Sequence, residues 1–276
     1  MRINTNINSM RTQEYMRQNQ DKMNTAMNRL SSGKSINSAA DDAAGLAIAT
    51  RMRAKEGGLN VGARNTQDAM SALRTGDAAL GSVSNILLRM RDLATQAANG
   101  TNNDNDIASM NKEYQALGAE IDHIADKTNF NGIKFLSTDK NGTADIKVQL
   151  SDTSGDTMTI ESLDAKKITT GTLEVGTGKA LDASKASGEI TALDTAIQKI
   201  ADQRATFGSQ LNRLDHNLNN VTSQSTNMAA AASQIEDADM AKEMSEMTKF
   251  KILNEAGISM LSQANQTPQM VSKLLQ

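Results

Sequence analysis

The sequence predicts a mainly α protein: a long coiled-coil helical rod with its N- and C-terminal helices paired, plus a small β-hairpin region. Three observations carry this reading. Between Ile190 and Ile235 apolar residues recur at alternating steps of three and four, through Ile190, Leu193, Ile197, Ile200, Phe207, Leu211, Leu214, Leu218, Val221, Met228, Ala232 and Ile235. Only Arg204 and Ser225 interrupt them. A period of 3.5 held this long requires one continuous helix, about 70 Å at the α-helical rise, packed on partners with the same stripe. A second seven-residue step runs through Met52, Leu59, Leu73, Leu80, Leu87 and Ala94, with Thr66 in its one polar slot. Finally, the chain holds a single proline, Pro268, so nearly all of it is free to be helical.

Composition narrows both the core and the function. Aromatic residues make up 2% of the 276 residues, Trp is absent, and 16 Met stand against 4 Phe, so packing falls to Leu, Ile, Met and Ala. Methionine is flexible and polarisable and fits surfaces of more than one geometry. A net charge of -3 offers no clustered cations for phosphate, and scarce aromatics offer no platform for stacking bases, which argues against nucleic acid. No apolar run reaches the length of a membrane span, and MRINTNINSM lacks the apolar segment of a cleavable signal peptide, so no membrane insertion is expected. With no Cys there are no disulfides and no thiol chemistry.

In chain order, residues 1–32 form an amphipathic helix through Ile3, Ile7 and Met10, then Met16, Met23, Met27 and Leu30, with a change of register near Glu14. Gly33 sits as a C-terminal cap, and Ser38 with Asp41 has the spacing of a capping box that would start a second helix near Ala39. That helix is expected to run to about Ala98 despite Gly57, Gly58 and Gly62. Each glycine costs about 1 kcal/mol against Ala, yet the repeat keeps its phase across them. A Gly/Asn/Asp turn at 100–105 leads to a shorter helix through Ile107, Met110, Tyr114, Leu117, Ile121 and Ile124, folded back on its predecessor. Residues 137–188 change to Ser, Thr, Gly, Asp and Lys, with period-two alternation at Ile146, Val148, Leu150, at Met158, Ile160 and at Leu173, Val175. These read as hairpin strands with one face exposed and no independent core. The long seam then loses phase at 236–239, and a last helix continues from Met240 through Met244, Met247, Phe250, Leu253, Gly257, Met260 and Ala264 to Leu274.

Four segments carry a resemblance beyond periodicity: LSSGKSINSAADDAAGLAIATRMR (Leu30–Arg53), LLRMRDLATQAANGT (Leu87–Thr101), FNGIKFL (Phe130–Leu136) and the run from Ile235 to Leu275 that opens IEDADMAKEMSEMTKFKILNEAG. Together they resemble bacterial flagellin, in the family's order, in a short form without large outer domains. The resemblance implies a structural subunit that polymerises into the extracellular flagellar filament for swimming motility. It implies residues 1–38 as the N-terminal helix of an inner-tube domain with its connector, and 39–136 as the N-terminal helices of an outer-tube coiled coil. It implies 137–188 as a short variable β-rich surface region, 189–235 as the C-terminal coiled-coil helix and 236–276 as the C-terminal inner-tube helix. Expected partners are other copies of the subunit, the flagellar export chaperone and export apparatus, and the filament cap and junction proteins. Self-assembly is expected through Ile3, Ile7, Met10, Met244, Met247, Leu253, Ile258, Leu261 and Leu274. A hook-filament junction protein of the same fold and a non-polymerising coiled-coil binding module are the alternatives.

Catalysis has little to work with, and no catalytic, cofactor or metal site is expected. His123 and His216 each follow an Asp, but adjacent residues on a helix point in different directions. Asp41 and Asp42 lie at a helix start, where capping accounts for them better than acid-base work. By family resemblance Arg89, Leu93, Gln96 and Glu113 match positions bound by the vertebrate Toll-like receptor that senses flagellin. Leu88 stands where the family usually has Gln. Their spacing puts Arg89, Leu93 and Gln96 on one helix flank beside the seam.

Overall fold

The computed structural model describes residues 6–134, 136, 146–160 and 186–274. In chain order these form α1 (Ile7–Ser32), α2 (Ala43–Ala97), α3 (Asp104–Lys127), β1 (Asn129–Phe130), β2 (Ile133–Lys134), β3 (Ile146–Gln149), β4 (Thr157–Ile160), α4 (Ala186–Glu236) and α5 (Met240–Leu274). Two compact units result, residues 1–56 with 226–276, and residues 57–225. The division falls inside α2 and α4, each of which continues from one unit into the other.

The second unit holds the large core. Side-chain pairs set its parts of α2 and α4 antiparallel: Asn60 with Ser225, Thr66 with Asn217, Asp77 with Arg204 and Arg91 with Asp194. Between them Leu59, Leu73, Leu80, Leu87, Leu193, Ile200, Phe207 and Leu214 are buried. The two polar residues of the α4 seam behave differently. Ser225 stays buried and donates its hydroxyl to Asn60 Oδ1 at 2.8 Å, whereas Arg204 swings out to Asp77 at 2.8 Å. α3 folds back as expected, starting at a full capping box between Asn103 and Asp106 and burying Met110, Tyr114 and Ile121. Tyr114 reaches Glu189 at the start of α4, and burial raises its phenol pKa, followed by the nearby Glu189 charge.

The hairpin β3–β4 pairs Ile146 with Ile160 and Val148 with Met158. Val148, Met158 and Ile160 join the helical core, so the strands borrow a core from the helices. The unbroken path of α2 past its glycines has a steric reason. A Cβ on Gly62 would come within 2.6 Å of the Leu150 carbonyl oxygen, and one on Gly58 within 2.6 Å of the Asp152 Cβ. Leu173 and Val175 lie outside the described residues. The sequence reading missed β1–β2, although its signal was present. Asn131-Gly132 takes the left-handed conformation at both residues (φ 51° and 81°), the two-residue turn that Asn-Gly favours between strands.

The first unit joins α1 to α5. Asn6 Nδ2 donates to the Ala264 carbonyl at 2.8 Å, Asn254 Nδ2 donates to Gln20 at 2.6 Å, and Arg29 faces Glu243 at 3.6 Å, so the terminal helices pair antiparallel. The start of α2 differs from expectation. The Asp41 carboxylate accepts from Ser38 N–H, Ser38 hydroxyl and Asn37 N–H, so Ser38 and Asp41 close a turn. Those hydrogen bonds hold the Asp41 pKa below the usual carboxylate range. Asp42 then caps the helix, accepting from Ala44 and Gly45 at 3.0 Å each, and α2 begins at Ala43.

Candidate self-assembly surface

The pairing of α1 with α5 leaves large apolar side chains on its outer side as well as between the helices. The covered side of α1 follows one unbroken three-four step through Ser9, Thr12, Met16, Asn19, Met23, Ala26 and Leu30, without the expected change of register at Glu14. More than half of those residues are small or polar. Ile7, Met10, Tyr15 and Met27 point away from the pair and are exposed. The covered side of α5 runs through Glu243, Met247, Phe250, Asn254, Gly257, Leu261 and Ala264, while Met244, Ile252, Leu253, Ile258 and Met260 are exposed. Small residues explain the fit, since a Cβ on Gly257 would meet Met16 Cγ at 2.8 Å.

The expected assembly residues therefore divide. Ile7, Met10, Met244, Leu253 and Ile258 are exposed, whereas Met247 and Leu261 are half-buried within the pair. Ile3 and the Leu274 side chain lie outside what is described.

A polar clasp closes this unit at the connectors. Gly33 ends α1 in the left-handed conformation, and the next residues run antiparallel to the link between α4 and α5. Ser35 N–H donates to the Glu236 carbonyl at 2.7 Å, and Ala238 N–H to the Gly33 carbonyl at 2.9 Å. The buried Glu236 carboxylate pairs with Lys34 and lies 3.5 Å from Arg53. The hydrogen bond from Lys34, with Arg53 adding to it, holds the Glu236 pKa below the usual carboxylate range despite burial.

On the second unit, Arg89 and Glu113 form a 2.8 Å ion pair between α2 and α3, which raises the Arg89 pKa, and both are exposed, as is Gln96. Leu93 corrects the expected flank. It is 2% exposed because α2 packs against both α3 and α4, so the side beside the seam is interior. His123 stands 3.7 Å from Glu120 on an open helix surface. Among the described residues no cluster of His, Cys, Asp or Glu could hold a metal ion, and no helix is long and apolar enough to cross a membrane.

Paired end helices that turn large apolar side chains outward, attached to helices with a closed core, define a structural protein built for self-association. The bacterial flagellin N-terminal helical region matches residues 3–141, and the bacterial flagellin C-terminal helical region matches residues 190–275. Flagellin of Listeria innocua serovar 6a is 46% identical over 285 residues, covering 100% of this chain and 99% of the relative. Flagellin of Bacillus subtilis is 37% identical over 303 residues, covering both chains fully. The crystal structure of Bacillus cereus flagellin superposes with a TM-score of 0.53 at 70% identity, over 61% of this chain and 94% of that one. A flagellar hook-associated protein from Vibrio parahaemolyticus, 16% identical with a TM-score of 0.60 over 71% of this chain and 100% of that one, shares the fold. The chain belongs to the bacterial flagellin family, whose members are structural proteins of the flagellar filament and not enzymes.

Proposed function

We propose that this filament subunit polymerises through the outward faces of α1 and α5. The observation that carries the reading is the open outer side of the pair, where Ile7, Met10, Leu253 and Ile258 are exposed while many of the covered positions, Ser9, Thr12, Asn19, Ala26, Asn254 and Gly257 among them, are small or polar. An apolar stripe left open to water gains about 25 cal/mol for each Å² that a neighbouring copy covers, repeated at every contact. Ile3 and Leu274 belong to the same proposed set, and Met247 and Leu261 hold the pair that presents the exposed residues.

In this reading the inner-tube segments are residues 1–38 and 236–276, the outer-tube coiled coil is 39–136 with 189–235, and 137–188 is the variable surface region. The subunit works outside the cell, after passage by the export chaperone and export apparatus, between junction proteins at the filament base and a cap at its tip. Free monomer also presents Arg89, Gln96 and Glu113 to the vertebrate Toll-like receptor, with Leu93 supporting them from beneath. The exposure of the Arg89–Glu113 pair supports that contact.

Leu253→Asp tests the assembly surface. Leu253 is exposed, so the variant monomer should fold normally, yet a charge buried without a partner costs several kcal/mol at each contact and should abolish filaments in electron micrographs after salt-induced assembly. Filaments of normal length would overturn the reading. Arg89→Ala should weaken receptor signalling by monomer by about thirtyfold if it anchors that contact, and signalling equal to the unaltered chain would remove the receptor assignment.

A further inference from the structure

The methionines are divided between the two units in a way that overall hydrophobicity does not require. Met90, Met110 and Met158 of the second unit are buried and Met70 is half-buried. In the first unit Met10, Met16, Met23, Met27, Met52, Met228, Met240, Met244, Met247 and Met260 are all exposed or half-buried. Five of them, Met10, Met27, Met240, Met244 and Met260, have exposures between 48% and 66%. Met10 and Met27 lie on the outward side of α1, and Met240, Met244 and Met260 are exposed on α5.

A thioether open to solvent is the group in this chain most readily oxidised. The chain has no Cys and no Trp to compete. We propose that Met10, Met27, Met240, Met244 and Met260 form a reversible oxidation site through which peroxide controls addition of free subunits. This rests on the assembly reading above. A sulfur lone pair attacks one peroxide oxygen, the O–O bond breaks, an S–O bond forms and water leaves. Sulfur loses two electrons and the peroxide gains them. The product is a polar, chiral sulfoxide in place of a flexible apolar tip, so each oxidised subunit must bury a dipole where a neighbour offers apolar surface. Reduction by the two stereospecific methionine sulfoxide reductases, with a dithiol as electron donor, returns the thioether, water and a disulfide. Buried Met90, Met110 and Met158 lie out of reach of the oxidant, so the fold survives the chemistry.

The test uses the full chain. Monomer is treated with hydrogen peroxide, sulfoxide at each methionine is read by peptide mass spectrometry, and elongation from filament seeds is followed by electron microscopy. The untreated monomer runs first. If it does not elongate, the assembly reading fails and this inference falls with it. Given elongation, the five exposed methionines should oxidise before Met90, Met110 and Met158, and elongation should slow by about tenfold with far-ultraviolet circular dichroism unchanged. Both sulfoxide reductases with dithiothreitol should restore it. In finished filaments the same five should oxidise about tenfold more slowly than in monomer, because neighbours cover them. Oxidised monomer that elongates at the untreated rate would overturn the inference alone, as would a loss that reductase cannot reverse. A fall in helical signal in step with sulfoxide would place the damage in the fold and overturn it too.

Discussion

The two units share α2 and α4, yet one closes its large apolar side chains away from water and the other leaves many of them exposed. In residues 57–225 Leu80, Leu87, Phe207 and Leu214 are closed to water in one shared core. In residues 1–56 and 226–276 the α1–α5 interface mixes Ser9, Thr12, Ala26 and Gly257 with half-buried Met16, Leu30, Phe250 and Leu261, and Ile7, Met10, Leu253 and Ile258 remain exposed. The same helical period therefore serves two ends. One unit keeps its apolar surface for its own stability, and in the proposed assembly the other reserves it for further copies.

Truncations should separate the two uses most sharply. Phe207→Ala removes a buried ring and should cost about 3–5 kcal/mol in urea unfolding of the monomer, whereas Ile258→Ala should change the same measurement by less than about 0.5 kcal/mol while raising the concentration needed for assembly. Equal losses of monomer stability would erase the distinction. Hydrogen exchange should follow the same line. Amides of α1 and α5, with few buried side chains, should exchange through local opening about a hundredfold faster in monomer than those of α3 and the Leu80–Leu87 stretch, and slow down on assembly. Comparable protection in the monomer would show the end pair to be as stable as the core.

Glycine substitutions sharpen the comparison within α2. Gly62→Ala would press a methyl group against the Leu150 backbone and should destabilise by about 1–3 kcal/mol. Gly57 has no atom within 4 Å of an added Cβ, so Gly57→Ala should stabilise by about 0.5–1 kcal/mol. Thermal melts of the two variants should move in opposite directions. The smallest effect is expected at the clasp. The Glu236 pKa is lower folded than unfolded, so its contribution is present above the unfolded value and is lost as pH falls through the folded one. Stability should rise with pH across the carboxylate range, about pH 3 to 5, and Glu236→Gln should flatten that rise. An unchanged slope would remove Glu236 as its source.

Much of the fold was legible because long seams leave a strong periodic signal. The α4 stripe and the passage of α2 through its glycines follow from spacing, and the return of α3 follows from the short turn before it. What spacing could not decide was which neighbour each stripe would meet. Leu93 lies beside the seam in sequence, but α3 packs there and makes it interior. In α1 the apolar spacing starts at Ile7 and Met10, which are exposed, while the covered side starts at the smaller Ser9 and Thr12, because close helix approach favours small side chains. Asp41 matched the capping spacing, but its oxygens were already engaged by Ser38 and Asn37, and capping passed to Asp42.

A seven-residue seam is a rail with identical sleepers. Sliding α4 past α2 by one repeat, about 10 Å, would again set apolar residues against apolar ones, so the oily contacts alone cannot tell true alignment from false. Ser225 against Asn60 and Asn217 against Thr66 can, for they meet in only one position and a slide would strand the buried Ser225 hydroxyl away from Asn60. They act as notches on the rail. In an object made of repeated copies, where one misaligned member would pass its offset to every neighbour, two weak polar contacts thereby set the common ruler.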